Sequence, residues 1–152
     1  MEKCQELRSP VTDQHSSDST RQSRSRQNIS SGTKWEDIAG YSRAVRIDRT
    51  IWVAGTTAAD ENSRLVGPGD PYAQTIHILR KIERALKEAG ATLEDVVRTR
   101  VYLVRTEDWE QVARAHGEIF GTIRPANTML TVKELIGAGY LVEIEVDAYL
   151  KA

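Results

Sequence analysis

Two stretches near the C-terminal end carry residue types that could do chemistry: RPANTML, residues 124–130, and VEIEVDAYL, residues 142–150. On an extended backbone the second alternates, with Val142, Ile144, Val146 and Ala148 on one face and Glu143, Glu145 and Asp147 on the other. A carboxylate there has two readings. It can orient or deprotonate a water if it lies within hydrogen-bond reach of the reacting atoms, or it can be an acid on the strand's less buried face. The first stretch offers Asn127, an amide that donates to an oxygen without neutralising it. Arg124 lies three positions upstream, an odd spacing that sends it to the opposite face of a strand. Arg43 is two residues from Tyr41 and shares its face. Arg98 and Arg100 share another, either binding a ligand or pairing with Glu143, Glu145 and Asp147 across subunits. Tyr41 either lines a cleft or packs.

The elements around these residues read in order along the chain. YSRAVRIDRTIWVAGTT alternates through Arg43, Val45 and Ile47, turns near Asp48 and Arg49, and continues through Ile51 to Ala54 as a strand expected to be buried on both faces. Asp70 and Pro71 open a helix as N-cap and first residue. Its apolar stripe is Tyr72, Ile76, Leu79, Ile82, Leu86 and Ala89, with a Glu83–Lys87 pair on the surface and Gly90 at the end. A β-branched strand follows, Val96 to Val104. Thr106 is expected to cap a second helix with stripe Trp109, Val112, Ala113, His116 and Phe120, in which His116 reads as a packed, hydrogen-bonded core histidine. A short strand around Thr128–Val132 and a longer one from Leu141 to Leu150 close the chain. The order β-β-α-β-α-β-β defines an α+β fold with two helices on one face of the sheet. The bare face predicts a homo-oligomer.

Composition divides the chain at about residue 34. Residues 1–34 are dominated by Ser, Arg, Gln, Thr and Asp and hold almost no large apolar residue, so they read as a disordered extension. They carry six of the 21 Lys+Arg and four of the 22 Asp+Glu, which leaves the domain at 35–152 mildly acidic. That charge argues against a nucleic-acid partner, and RQSRSRQ reads as solvated rather than as an RNA-binding arm. No stretch has the length of a membrane span, and no secretory h-region is present. The lone Cys4 suits a reducing, cytoplasmic setting. His15, His77 and His116 are too scattered to build a metal cage.

From Tyr41 onward the chain resembles the RidA family, also called YjgF/YER057c/UK114. GYSRAV, VAGTT, YAQT, AGATLEDVVRTRVYLV, AHGEIFG, RPA and LVEIEVDA carry the resemblance by their order and spacing. It implies a chorismate-mutase-like mixed sheet and a homotrimer with clefts at the subunit interfaces. It also implies hydrolysis of enamine/imine intermediates to 2-oxo acids and ammonia, without metal or cofactor. In that pattern the cleft tyrosine falls on Tyr41, and the glutamate that positions water falls on Glu143, or on Glu145 if the loop before it is placed otherwise. The backbone position falls on Met129, where many deaminases have cysteine, and a serine that often precedes the glycine of the second strand is replaced by Ala54. The arginine that grips the substrate carboxylate falls on Asn127. Three functions follow as expectations. The first is a cleft for a small carbonyl-bearing or anionic metabolite with deaminase activity lost or redirected. The second is an active imine hydrolase in which Arg43 or Arg124 replaces the missing guanidinium, and the third is a nucleic-acid or partner-binding module.

Overall fold

A computed structural model describes residues 25–151. Its strands are β1 (Arg26–Ile29), β2 (Ala44–Ile47), β3 (Thr50–Thr57), β4 (Val96–Leu103), β5 (Ala126–Thr131) and β6 (Val142–Tyr149). Its α-helices are α1 (Lys34–Ala39), α2 (Pro71–Glu88) and α3 (Trp109–Phe120). The six strands form one sheet in the order β1-β2-β3-β6-β4-β5, antiparallel throughout except for the parallel pair β4–β5. The α+β class and the two long helices on one face agree with the sequence pattern.

β1 and α1 come in addition to the expected elements, and β1 falls within the segment read as a disordered extension. The boundary at residue 34 is therefore too late. Composition misses β1 because an edge strand needs backbone partners and one anchor rather than an apolar run. Arg26 to Ile29 pair with Ile47 to Ala44, and Ile29 is 4% exposed in the core. The turn after it is fastened by Glu36, whose carboxylate accepts from Ser30 Oγ (2.5 Å), Ser31 Oγ (2.6 Å) and Ser31 N–H (2.8 Å). Burial alone would raise the Glu36 carboxyl, but these donors and Arg43 hold it below its ordinary value. The part of the extension at 1–24 lies outside the described residues.

Helix α2 begins as expected, with the Asp70 carboxylate accepting from Ala73 N–H at 2.9 Å and Pro71 at the first position. The Glu83–Lys87 pair closes at 2.7 Å. The buried stripe differs from the apolar one: Gln74, Thr75, Ile78, Leu79, Ile82, Ala85 and Leu86 are buried, while Tyr72 turns to α3 and donates to Glu118 at 2.6 Å. In α3, Val112, Ala115 and Phe120 are buried, whereas Trp109 is 52% exposed. Thr106 does not cap α3; its hydroxyl meets Thr131 Oγ1 at 3.0 Å, and Arg105 pairs with Asp108 at 2.8 Å in the turn before the helix.

Ile51 and Val53, Val101 and Leu103, and Val142, Ile144, Val146 and Ala148 form the sheet's half of the core. The opposite face carries Trp52, Arg100, Tyr102, Glu143, Glu145 and Asp147, in the register Trp52↔Asp147, Arg100↔Glu145 and Tyr102↔Glu143. β3 is thus buried on one face within a single chain, not both: Ile51 is sealed, and Trp52 is 44% exposed.

Candidate functional site

The β3–β6 ladder breaks its register between Val53 and Thr56, and such a bulge re-aims the groups around it. Arg43 gathers them. Its Nη1 donates to Gly55 O (2.8 Å), Thr56 Oγ1 (3.0 Å) and Ala54 O (3.3 Å), and its Nη2 to Tyr41 Oη (3.2 Å). Because the Tyr41 oxygen accepts from Arg43, its own proton is left to donate elsewhere. Glu143 approaches Gly55 so closely that a Cβ there would overlap its Oε1. That approach, not backbone conformation, is what a larger residue at 55 would disturb. Burial raises the Glu143 carboxyl above its ordinary value, Arg43 opposes this and Glu145 adds to it. Tyr41, Arg43 and Glu143 are thereby drawn into one neighbourhood around the bulge.

Glu145 differs from its neighbour. It accepts from Tyr102 Oη at 3.0 Å and from Arg100 at 3.3 Å, and Arg100 also pairs with Asp147 at 3.2 Å. Arg100 therefore meets Glu145 and Asp147 inside its own chain.

Asn127 and Met129 occupy the far edge of the sheet. Asn127 lies opposite Thr99, and its Nδ2 donates to Thr99 Oγ1 at 2.8 Å, with His116 Nε2 at 3.0 Å from the same oxygen. Thr99 is fully buried on the helix side, so Asn127 and Glu143 project from opposite faces. His116 is the hydrogen-bonded core histidine expected, and burial lowers its pKa. Met129 lines a depression of about 260 Å³ with Leu103, Thr106, Trp109, Leu130 and Thr131. Arg124 sits at φ 55° in the turn ending α3, its N–H bonded to Phe120 O at 2.8 Å. One chain therefore brings Tyr41, Arg43 and Glu143 together and leaves Asn127 and Met129 apart from them on β5.

Two residues with structural weight escaped the apolar pattern. Gln74, wholly buried, donates to Gly67 O (3.1 Å) and Gly139 O (2.9 Å) and accepts from Leu141 N–H (2.9 Å), tying the loop before β6 to α2. Lys81 donates to Thr57 O (3.0 Å) and Ala59 O (2.7 Å). Its pKa is lowered to about 8 by burial, then by Arg43 and Arg84, against an opposing contribution from Asp60. The signal for Gln74 was its place in YAQT, a polar residue four before Ile78. Among the described residues no group of three or more His, Cys, Asp or Glu could hold a metal ion, and no helix is long and apolar enough to cross a membrane.

Together these features define a small α+β protein in which Glu143 and Asn127 project from opposite faces of one mixed sheet. The chain belongs to the endoribonuclease L-PSP family, which matches residues 32–150 and is the RidA or YjgF/YER057c/UK114 group. A crystal structure of a Mycobacterium tuberculosis member of the YjgF/YER057c/UK114 family is 50% identical, with a TM-score of 0.76 over 83% of this chain and 100% of that one. An uncharacterised Streptomyces coelicolor protein is 42% identical over 80% of this chain and 90% of its own length. The 3-aminoacrylate deaminase RutC of Acinetobacter baylyi is 33% identical over 74% and 89%.

Proposed function

We propose that this chain forms a cytoplasmic homotrimer whose interfacial clefts bind a small carbonyl-bearing or anionic metabolite, with imine deaminase activity lost or redirected. Assembly is supported by the open sheet face around Trp52 and by the separation of Asn127 and Met129 from Tyr41, Arg43 and Glu143, which a neighbouring copy would bring together. In such a cleft Glu143 would orient water, Tyr41 would donate its phenolic proton, and the backbone at Met129 would contact the reacting group.

One observation carries the reading. Where the family pattern has a carboxylate-gripping arginine, this chain has Asn127, whose neutral NH2 group has one of its two protons engaged at Thr99. Arg43 is a poor replacement, since its guanidinium is held by two carbonyls and two hydroxyls of its own chain. A guanidinium offers a planar fork and a permanent charge, and an amide offers neither. The likeness to a 3-aminoacrylate deaminase favours the second reading, imine hydrolysis with another arginine in the cleft. Ammonia release from freshly generated 2-iminobutanoate separates them. Wild type at the buffer rate, with Asn127→Arg clearly faster, supports the first; fast wild type abolished by Arg43→Met supports the second.

A further inference from the structure

On the helix side, away from Asn127 and Met129, a cavity of about 200 Å³ lies between the turn after β1, the loop after β3 and the middle of α2. Thr33, Arg43, Lys81 and Arg84 line it, with Asp60, Glu61 and Glu88. Its charges are not evenly placed. Glu61, Glu88 and Arg84 are exposed, and Asp60 Oδ1 accepts from Asn62 N–H (2.9 Å) and Arg64 N–H (2.8 Å) in its own loop. Arg43 and Lys81 are the more buried cations, and the summed effect of Arg43 and Arg84 on Lys81 outranks that of Asp60.

Two polar atoms of this lining, Arg43 Nε and Thr33 Oγ1, are buried without a hydrogen-bond partner among the described residues. Burying a donor that finds no acceptor is costly, and each such group calls for an explanation. Lys81 has two of its three protons on carbonyl oxygens, which leaves a third. Two buried polar atoms left without partners beside two partly desolvated cations, with the carboxylates exposed or engaged in their own loop, fit a ligand that brings oxygens and negative charge.

We infer that this cavity is a second small-molecule site, in which Lys81, Arg43 and Thr33 hold a small oxyanion of the carboxylate or sulfate/phosphate type. The turn at Ser30–Thr33, clamped by Glu36, forms its wall. The site does not depend on the identity of residue 127.

The test follows the Lys81 Cε resonance of the full-length protein by carbon-13 NMR, assigned by its disappearance in Lys81→Arg, during titrations with sulfate and, separately, acetate in a buffer free of other oxyanions. The expected result is a saturable shift with at least one anion and a bound-state Lys81 pKa above about 8. By linkage, affinity then weakens up to about tenfold per pH unit once the pH passes the free value. Saturation by sulfate alone or acetate alone names the ligand class. The Lys81 shift should weaken several-fold in Thr33→Val and stay unchanged in Asn127→Arg, and Lys81→Met, read by calorimetric titration of the same anion that saturates wild type, should lose the binding. The inference is overturned if neither anion saturates, if the Lys81 pKa stays where it was, or if folded Lys81→Met binds as well as wild type.

Discussion

Replacing Gln74 with methionine keeps the side chain's length and removes all three of its hydrogen bonds. The consequences differ by partner. Leu141 is only 9% exposed, so its N–H loses an acceptor that water cannot easily replace, whereas the carbonyls of the half-buried Gly67 and the exposed Gly139 can be rehydrated. A stranded buried donor costs roughly 1–3 kcal/mol and each lost ordinary bond about 1 kcal/mol, and burial of the new apolar side chain offsets part of this. The net is about 3 kcal/mol, or a fall in Tm of roughly 10 °C for a domain of this size. Gln74→Glu keeps the acceptor for Leu141 N–H and cannot donate while ionised, so it should fall between wild type and Gln74→Met at neutral pH. Thermal unfolding by circular dichroism at one fixed protein concentration measures both. Hydrogen exchange should show the loss at the Leu141 and Val142 amides first, because Gln74 anchors the loop leading into β6. A drop of less than about 2 °C for Gln74→Met would refute the idea that one buried amide holds that loop.

Three further outcomes follow from the site. Burial and Glu145 raise Glu143 in the folded state, so folding binds a proton that the unfolded chain releases, and stability falls as pH rises from the unfolded value through the folded one. Glu143→Gln should therefore melt above wild type at pH 7, with the gap closing as pH falls toward 4.5; an equal or lower Tm at pH 7 would contradict the assignment. Gly55→Ala should fold, because only the end of the Glu143 side chain must move, but should displace that carboxylate in a crystal structure and weaken cleft ligands; an unmoved Glu143 would count against the close approach. Trp52→Glu places a charge on the open sheet face and should shift sedimentation toward a single 17.0 kDa chain; an unchanged assembly would mean that this face is not the interface.

Much of the architecture was legible because backbone periodicity reports directly on burial. The alternation Val142 to Ala148 is mirrored residue by residue in the buried and half-buried faces of β6, and Asp70, Pro71 and Gly90 mark the ends of α2 by conformational rules that need no tertiary context. What escaped depends on partners distant in sequence. β1 is held by Ile29 and by hydrogen bonds to β2, neither of which composition counts. Gln74 and Lys81 are polar residues whose partners are backbone carbonyls and an N–H 7 to 67 residues away. Tyr41 and Arg43 sharing a face was readable from spacing, but the bulge that turns Arg43 inward onto Gly55 was not. Nor could spacing show that Asn127 and Glu143 leave opposite faces of the sheet, since that follows from the parallel pairing of β5 with β4.

The proposed function requires that an amide at residue 127 not hold a carboxylate that a guanidinium there would hold. Calorimetric titration of 2-oxobutanoate into wild type and Asn127→Arg tests it without requiring turnover. Losing the charged member of a desolvated pair costs about 2–5 kcal/mol, so the arginine variant should bind at least about thirtyfold more tightly than wild type. Micromolar binding by wild type, unchanged in Asn127→Arg, would contradict the account.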